Sequence, residues 1–197
     1  NKSKPHKVIL ISSVGVYGNS NGRFIKPLDQ YSKNCLFAEN YCKKKFDKLI
    51  ILRAGNLFGI MRNKPGTIEK LIMDQLNIKK FEFYKYKTVR SYLPINEFIN
   101  YLKKAITSKE MCGTYNIVNE NLILSFEELK QIFVKIFKRK ISVKFNQEKP
   151  KIKQSIIKNT QHSTFKKIKK SNKIEKEIKN LISFYKRYYK TKLIINI

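Results

Sequence analysis

The apolar positions of this chain fall into short blocks separated by polar, glycine-bearing stretches. Val8 to Ser12 is a run rich in β-branched residues and reads as a buried strand. The polar stretch GVYGNSNGRF follows, and Pro27 closes it. Tyr31 to Phe46 has helical spacing, with Tyr31, Cys35, Ala38 and Cys42 on one face. Leu49 to Leu52 is a second buried strand. Thr67 to Leu76 reads as a helix with Ile68, Leu71, Ile72 and Leu76 inward. Phe81 to Tyr86 and Val89 to Ile95 read as strands. Asn96 is placed to cap a helix whose inner face is Phe98, Ile99, Leu102, Ala105 and Ile106. Gly113 to Asn119 is a third buried strand. Ser125 and Glu128 have capping-box spacing and open a helix with Phe126, Leu129, Ile132, Phe133, Ile136 and Phe137 on one face. Ile141 to Phe145 reads as a strand. Ile174, Ile178, Leu181, Ile182 and Tyr185 are in register on a last helix. Strands alternating with helices predict an α/β fold with a mostly parallel sheet.

Composition narrows the function classes. The 197 residues are 42% hydrophobic, enough for a sizeable core. No apolar run approaches the ~18 residues of a membrane span. The apolar stretch near the start is too short for a secretory signal and lacks a convincing cleavage site. Cys35, Cys42 and Cys112, with His6 and His162, form no metal-ligand pattern. A sparse, odd cysteine set favours a reducing compartment, so a cytoplasmic protein is expected. Cys42 and Cys112 read as small core residues, and His162 as an exposed one.

Lys and Arg number 43 against 14 Asp and Glu, a net charge of +29. Residues 149–197 are denser in positive charge than the rest. Such a balance suits a polyanion. Yet only 6 of the basic residues are Arg, the side chain best fitted to bidentate phosphate and guanine contacts. Lys, Ile and Asn are all abundant, as compositional drift would make them. Nucleic-acid binding is therefore the lesser reading of the charge. The first residue is Asn1 and not Met, so the chain is expected to be a piece of something longer.

Gly15, Gly18 and Gly22 follow a strand, as in a dinucleotide-binding loop. The context argues against that role. Pro27 prevents the segment after Gly22 from being the first turns of a helix, and no acidic ribose ligand follows a second strand at the usual distance.

A different set of motifs is more informative. SSVGVYG, PLDQY, the helix carrying Glu39, ILRAGNLFG, VRSYLPINEF and GTYNIVN occur in that order. Together they resemble the extended short-chain dehydrogenase/reductases of the NAD-dependent epimerase/dehydratase family. The resemblance runs from about Val8 to the helix after Ser125, and more weakly beyond. It implies the C-terminal half of a Rossmann-type doubly wound parallel sheet plus a smaller substrate-binding α/β part. Residues 1–60 would be the second half of the cofactor domain. Residues 61–197 would mainly bind substrate, with 88–119 returning to the first sheet. The glycine-rich first half of the cofactor domain is not in the chain.

The resemblance also implies roles. Ser13 and Tyr31 would be catalytic, and Tyr31 and Ala54 would contact the cofactor, NAD or NADP. Asn56 and Arg90 would bind the diphosphate of a nucleotide-diphosphate sugar. Asn116 would be structural. A homodimer is a further expected partner, and a membrane is not. The family pattern P-x-x-x-Y-x-x-x-K matches at Pro27 and Tyr31 but has Cys35 where the Lys should be, while Glu39 matches again. Tyr is a weak acid of pKa ~10, and a Lys one helical turn on would supply the charge that makes it useful near neutrality. Cys35 cannot supply that charge, and Lys33 lies on another side of the helix. Ser91, Pro94 and Glu97 depart from the family pattern around Arg90. Two alternatives stay open: a catalytically degenerate relative that binds a nucleotide sugar, and a basic nucleic-acid-binding protein using residues 149–197.

Overall fold

The computed structural model describes residues 7–60, 65–84, 89–146, 157–160, 162–165, 168–170 and 173–195. His6, Lys85, Tyr86 and residues 149–156, which figure in the sequence reading, lie outside these.

The strands are β1 (Val8–Ser13), β2 (Leu49–Ala54), β3 (Asn56–Phe58), β4 (Glu82–Tyr84), β5 (Arg90–Pro94), β6 (Gly113–Ile117), β7 (Ile123–Leu124) and β8 (Lys144–Asn146). The helices are α1 (Gln30–Lys45), α2 (Thr67–Gln75), α3 (Ile95–Thr107), α4 (Phe126–Phe137) and α5 (Ile174–Ile195). The order is α/β throughout, as the sequence pattern predicts.

The first sheet has the order β1-β2-β6, with every pair parallel. Its middle strand LIILRA is buried at all six positions, as a parallel strand covered on both faces should be. The β1 strand is different. It pairs only with β2 among the described residues, and Ile11 is 52% exposed. The expectation of a buried strand at Val8 to Ser12 is thus corrected: the β-branched run forms the strand, but its position at the sheet edge leaves it half-covered. Of residues 88–119, β6 joins this first sheet, while β5 pairs parallel with β3 and antiparallel with β7. A third, two-stranded sheet joins β4 to β8.

Two apolar clusters hold these layers. One packs β2 and β6 against Phe98, Tyr101 and Ala105 of α3. The other gathers α2, α4 and α5 around Ile72, Phe83, Leu129, Phe133 and Ile178. Every residue of the stripe read on α5 is buried: Ile174, Ile178, Leu181, Ile182 and Tyr185. The charge-dense end of the chain therefore completes a core.

Other expectations need correction. Helix α3 begins at Ile95 after Pro94 with no side-chain cap, so Asn96 lies inside its first turn. Its inner face carries Tyr101, while Ile99 and Ile106 are exposed. The phenol of Tyr101 finds a polar partner in Asn159, which lets an aromatic ring take the buried position. On α1 the buried residues are Ser32 and Glu39. Tyr31, expected inward, is 65% exposed, and Cys35, Ala38 and Cys42 are only half-buried. Cys112 is exposed, not a core residue. His162 is half-buried, not exposed, with its ring against Tyr115 and Phe165. The strand expected at Ile141 to Phe145 forms later, at Lys144–Asn146, although Ile141 is still buried.

No helix among the described residues is long and apolar enough to cross a membrane.

Candidate functional site

A cleft of about 490 Å3 opens at the C-terminal ends of β1 and β2. This end of a parallel sheet is where α/β folds bind ligands, because the connecting loops diverge there. The five residues singled out for binding or catalysis, Ser13, Tyr31, Ala54, Asn56 and Arg90, all line it.

Ser13 ends β1. Its Oγ accepts a hydrogen bond of 3.0 Å from the Gly15 amide and so caps the 3-10 turn Val14–Tyr17. The hydroxyl proton is not used in that bond, and Ser13 lines the cleft. Gly15 is needed at this point. A Cβ there would stand 2.5 Å from the Ser32 Oγ and 3.2 Å from the Ser13 Oγ. The missing side chain lets the first turn of α1 approach the end of β1.

Helix α1 starts where Asp29 accepts a hydrogen bond from the Ser32 amide at 2.6 Å. That start puts Tyr31 on the cleft wall and Ser32, almost fully buried, beside it. Sequence reasoning missed Ser32. Its signal was weak, a second hydroxyl next to a tyrosine, and only the approach over Gly15 reveals it. Cys35, one turn on, is half-buried and stands outside the cleft lining.

Ala54 ends β2 and forms part of the floor. Asn56, two residues later, donates its side-chain amide to the Ser91 carbonyl at 3.1 Å, tying β3 to β5. Arg90, at the start of β5, is half-buried on the same cleft. The cleft lining thus includes the hydroxyls of Ser13, Tyr31 and Ser32 and the charged side chains of Arg90, Lys70, Asp29, Glu69 and Glu82. Gly66 and Thr67, at the uncapped N-terminus of α2, also line it.

Behind the cleft hydroxyls lies a buried polar network. Glu39, fully buried, accepts from Arg53 at 2.6 and 2.9 Å and from the Ser12 hydroxyl at 2.6 Å. Arg53 also donates to the Tyr17 hydroxyl at 2.7 Å, and Tyr17 donates to the Asn116 side-chain oxygen at 3.1 Å. Burial alone would lower the affinity of Arg53 for its proton. The Glu39 hydrogen bond and charge, with Tyr17, outweigh it and raise the guanidinium above its ordinary value. The signal in the sequence was a single Arg inside the apolar run LIILRA.

The glycine loop after β1 uses its own amides. Gly18 donates to the Gly15 carbonyl, Ser20 to the Tyr17 carbonyl and Lys26 to the Val16 carbonyl. Gly18 has φ of +54°, and a Cβ there would collide with the Lys26 carbonyl. These glycines serve a tight turn. The residues present fit the reactive end of a dinucleotide, with Ser13, Tyr31 and Ala54 facing one space. Among the described residues, no group of three or more His, Cys, Asp or Glu is suited to a metal ion.

No protein-family model and no curated protein sequence matches the chain. Solved structures resemble it by fold. A UDP-N-acetylglucosamine 4-epimerase from Methanobrevibacter ruminantium M1, in complex with UDP-N-acetylmuramic acid, is 21% identical, with TM-score 0.71. That match covers 92% of this chain and 63% of the other. A UDP-glucuronic acid 4-epimerase from Bacillus cereus, in complex with UDP-glucuronic acid and NAD, is 21% identical, with TM-score 0.79. It covers 95% of this chain and 64% of the other. A dTDP-glucose 4,6-dehydratase from Bacillus anthracis, in complex with NAD, is 18% identical, with TM-score 0.73. It covers 92% of this chain and 62% of the other. This chain spans less than two thirds of the length of each. At such identities the likeness establishes the fold: an α/β, Rossmann-like architecture shared with nucleotide-sugar epimerases and a dehydratase.

Proposed function

We propose that this chain is the catalytic-strand and substrate-binding portion of an NAD(P)-dependent nucleotide-sugar epimerase or dehydratase of the extended short-chain dehydrogenase/reductase type. The observation that carries the reading is the convergence of Ser13, Tyr31, Ala54, Asn56 and Arg90 on one cleft. These residues come from β1, α1, β2, β3 and β5, so their meeting is a property of the fold and not of sequence proximity.

In this reading Arg90 grips the substrate diphosphate, since a guanidinium presents paired donors to phosphate oxygens. Asn56 steadies the adjoining β3 and β5 backbone and offers its amide to the same group. The sugar then lies toward Ser13 and Tyr31. The Ser13 hydroxyl donates to the reacting sugar oxygen, and the Tyr31 phenol exchanges a proton with it. A nicotinamide dinucleotide, when bound, supplies the hydride acceptor and donor. Ala54 leaves room for it at the end of β2.

Calorimetric titration with UDP-glucose tests the substrate end. Arg90→Ala should weaken binding ~10-fold or more, by the loss of a charged hydrogen-bond partner. Equal affinity in the variant, or no binding of any UDP-sugar by the native chain, removes the reading.

Cys35 favours a second reading, in which the cleft binds a nucleotide sugar without turning it over. It puts no cation one turn from Tyr31. Turnover assays on the complete protein with NAD separate the two. If Cys35→Lys gains activity that the native protein lacks, the degenerate reading stands. Robust native turnover ends it.

A further inference from the structure

We infer that Glu39 and Arg53 form a polar lock that sets where α1 presents Tyr31 and Ser32 to the cleft. They are positioning residues, and their effect on the ligand rests on the reading of the cleft given above.

Helix α1 lacks a fully buried apolar stripe. A helix lying on a sheet is normally held by an apolar stripe. Here the two buried residues of the helix are Ser32 and Glu39. Its apolar side chains are at most half-buried, as at Cys35, Leu36, Ala38 and Cys42, or turn away: Phe37 is 74% exposed and Tyr41 is 55% exposed. Apolar packing is non-directional and would let such a helix slide or rotate at little cost. A two-pronged arginine–carboxylate pair does not, because both bonds must keep their direction.

The lock has that geometry. Arg53 Nε and Nη2 each donate to one Glu39 oxygen, at 2.9 and 2.6 Å. Ser12 adds a third donor from β1, at 2.6 Å. Arg53 Nη1 continues to Tyr17, and Tyr17 to Asn116. One connected set of bonds therefore joins β1, the 3-10 turn, α1, β2 and β6. Ser32 and Glu39 are seven residues apart, two helical turns, and so lie on one face. Fixing Glu39 fixes Ser32 over Gly15, where there is no space for a single extra carbon.

Buried ion pairs can often be replaced by apolar residues without loss of stability, so a variant can stay folded while any geometry the pair imposed is released. That difference makes the inference testable. The double variant Glu39→Leu, Arg53→Met is compared with the native chain by maleimide labelling. Cys35 and Cys42 report on α1, and exposed Cys112 serves as the internal standard.

The expected result is a retained cooperative melt, with Cys35 and Cys42 labelled ~10-fold or more faster and Cys112 unchanged, as for a helix that opens locally. Affinity for UDP-glucose should fall in parallel. Unchanged labelling in a variant that melts cooperatively overturns the inference. Should the variant not fold, native hydrogen exchange decides. Residues 33–42 should be protected as strongly as residues 50–54, and earlier independent exchange of α1 overturns the lock. Neither labelling nor exchange needs a ligand. If the native chain binds no UDP-sugar, the functional reading fails while the lock is still decided.

Discussion

Tyr101 shows how one side chain can carry a pH signature. Burial, followed by the negative charge of Glu97, pushes its phenol up to about 12, against the opposing pull of the Asn159 hydrogen bond. A raised tyrosine favours the folded state while it stays protonated. Its contribution is complete below the ordinary value of 10.0 and is lost as pH rises toward about 12. Tyr101→Phe should cost ~1 kcal/mol near neutrality through the lost hydrogen bond. It should also flatten the alkaline fall in stability, measured by urea unfolding across that window. An equally steep fall in the variant would assign the effect to another group. At this scale motif order led to Ser13, Tyr31, Ala54, Asn56 and Arg90, and the fold brings all five to one cleft. Ser32 and Arg53 were not legible in the sequence, since a lone serine and a lone arginine carry no spacing signal.

Helix α4 is the element best specified by local sequence. The Ser125 hydroxyl accepts from the Glu128 amide at 3.2 Å, and the Glu128 carboxylate accepts from the Ser125 amide at 2.7 Å. Ser125→Ala should cost ~1 kcal/mol, the usual worth of an N-cap side chain. The Ser125 backbone bond first, and its hydroxyl second, hold the Glu128 carboxyl below its ordinary value of 4.5. A lowered carboxyl stabilises above its unfolded value and loses that effect as pH falls through the folded one. The gap between native and Glu128→Ala should therefore narrow on acidification below about pH 4, as seen by thermal melts. A gap independent of pH would show that Glu128 is not part of the cap. Helix α5 was equally readable, because its apolar stripe is its buried face. Helix α1 was not, because its fully buried residues, Ser32 and Glu39, are polar and its apolar residues are half-buried or exposed.

Among the described residues, the two edges of the β1-β2-β6 sheet differ. At the β6 edge, Thr160 donates its amide to the Asn116 carbonyl and its hydroxyl accepts from the Asn116 amide. Asn159 accepts from the Val118 amide, so a short segment stands in for a further strand. At the β1 edge no described strand does this, and Ile11 is exposed beside it. Open edges with apolar side chains promote strand pairing between molecules. The chain should self-associate as concentration rises, and Ile11→Lys should reduce it, read by sedimentation velocity. A native chain that stays monomeric at all concentrations would show that the edge is protected. Among the described residues of the basic C-terminal segment, Ile157 and the apolar stripe of α5 are built into the core.

The sequence by itself determined the alternation of strands and helices, the apolar stripes of α2, α4 and α5, and the order of the motifs. Those depend on local periodicity and capping, which neighbouring residues settle among themselves. Only the tertiary structure decided that β1 is a half-covered edge, that α1 rests on Glu39 and Arg53, and that Asn159 and Thr160 close the β6 edge. Each of these joins residues far apart in the chain, and polar partners buried together leave no periodic trace in the sequence.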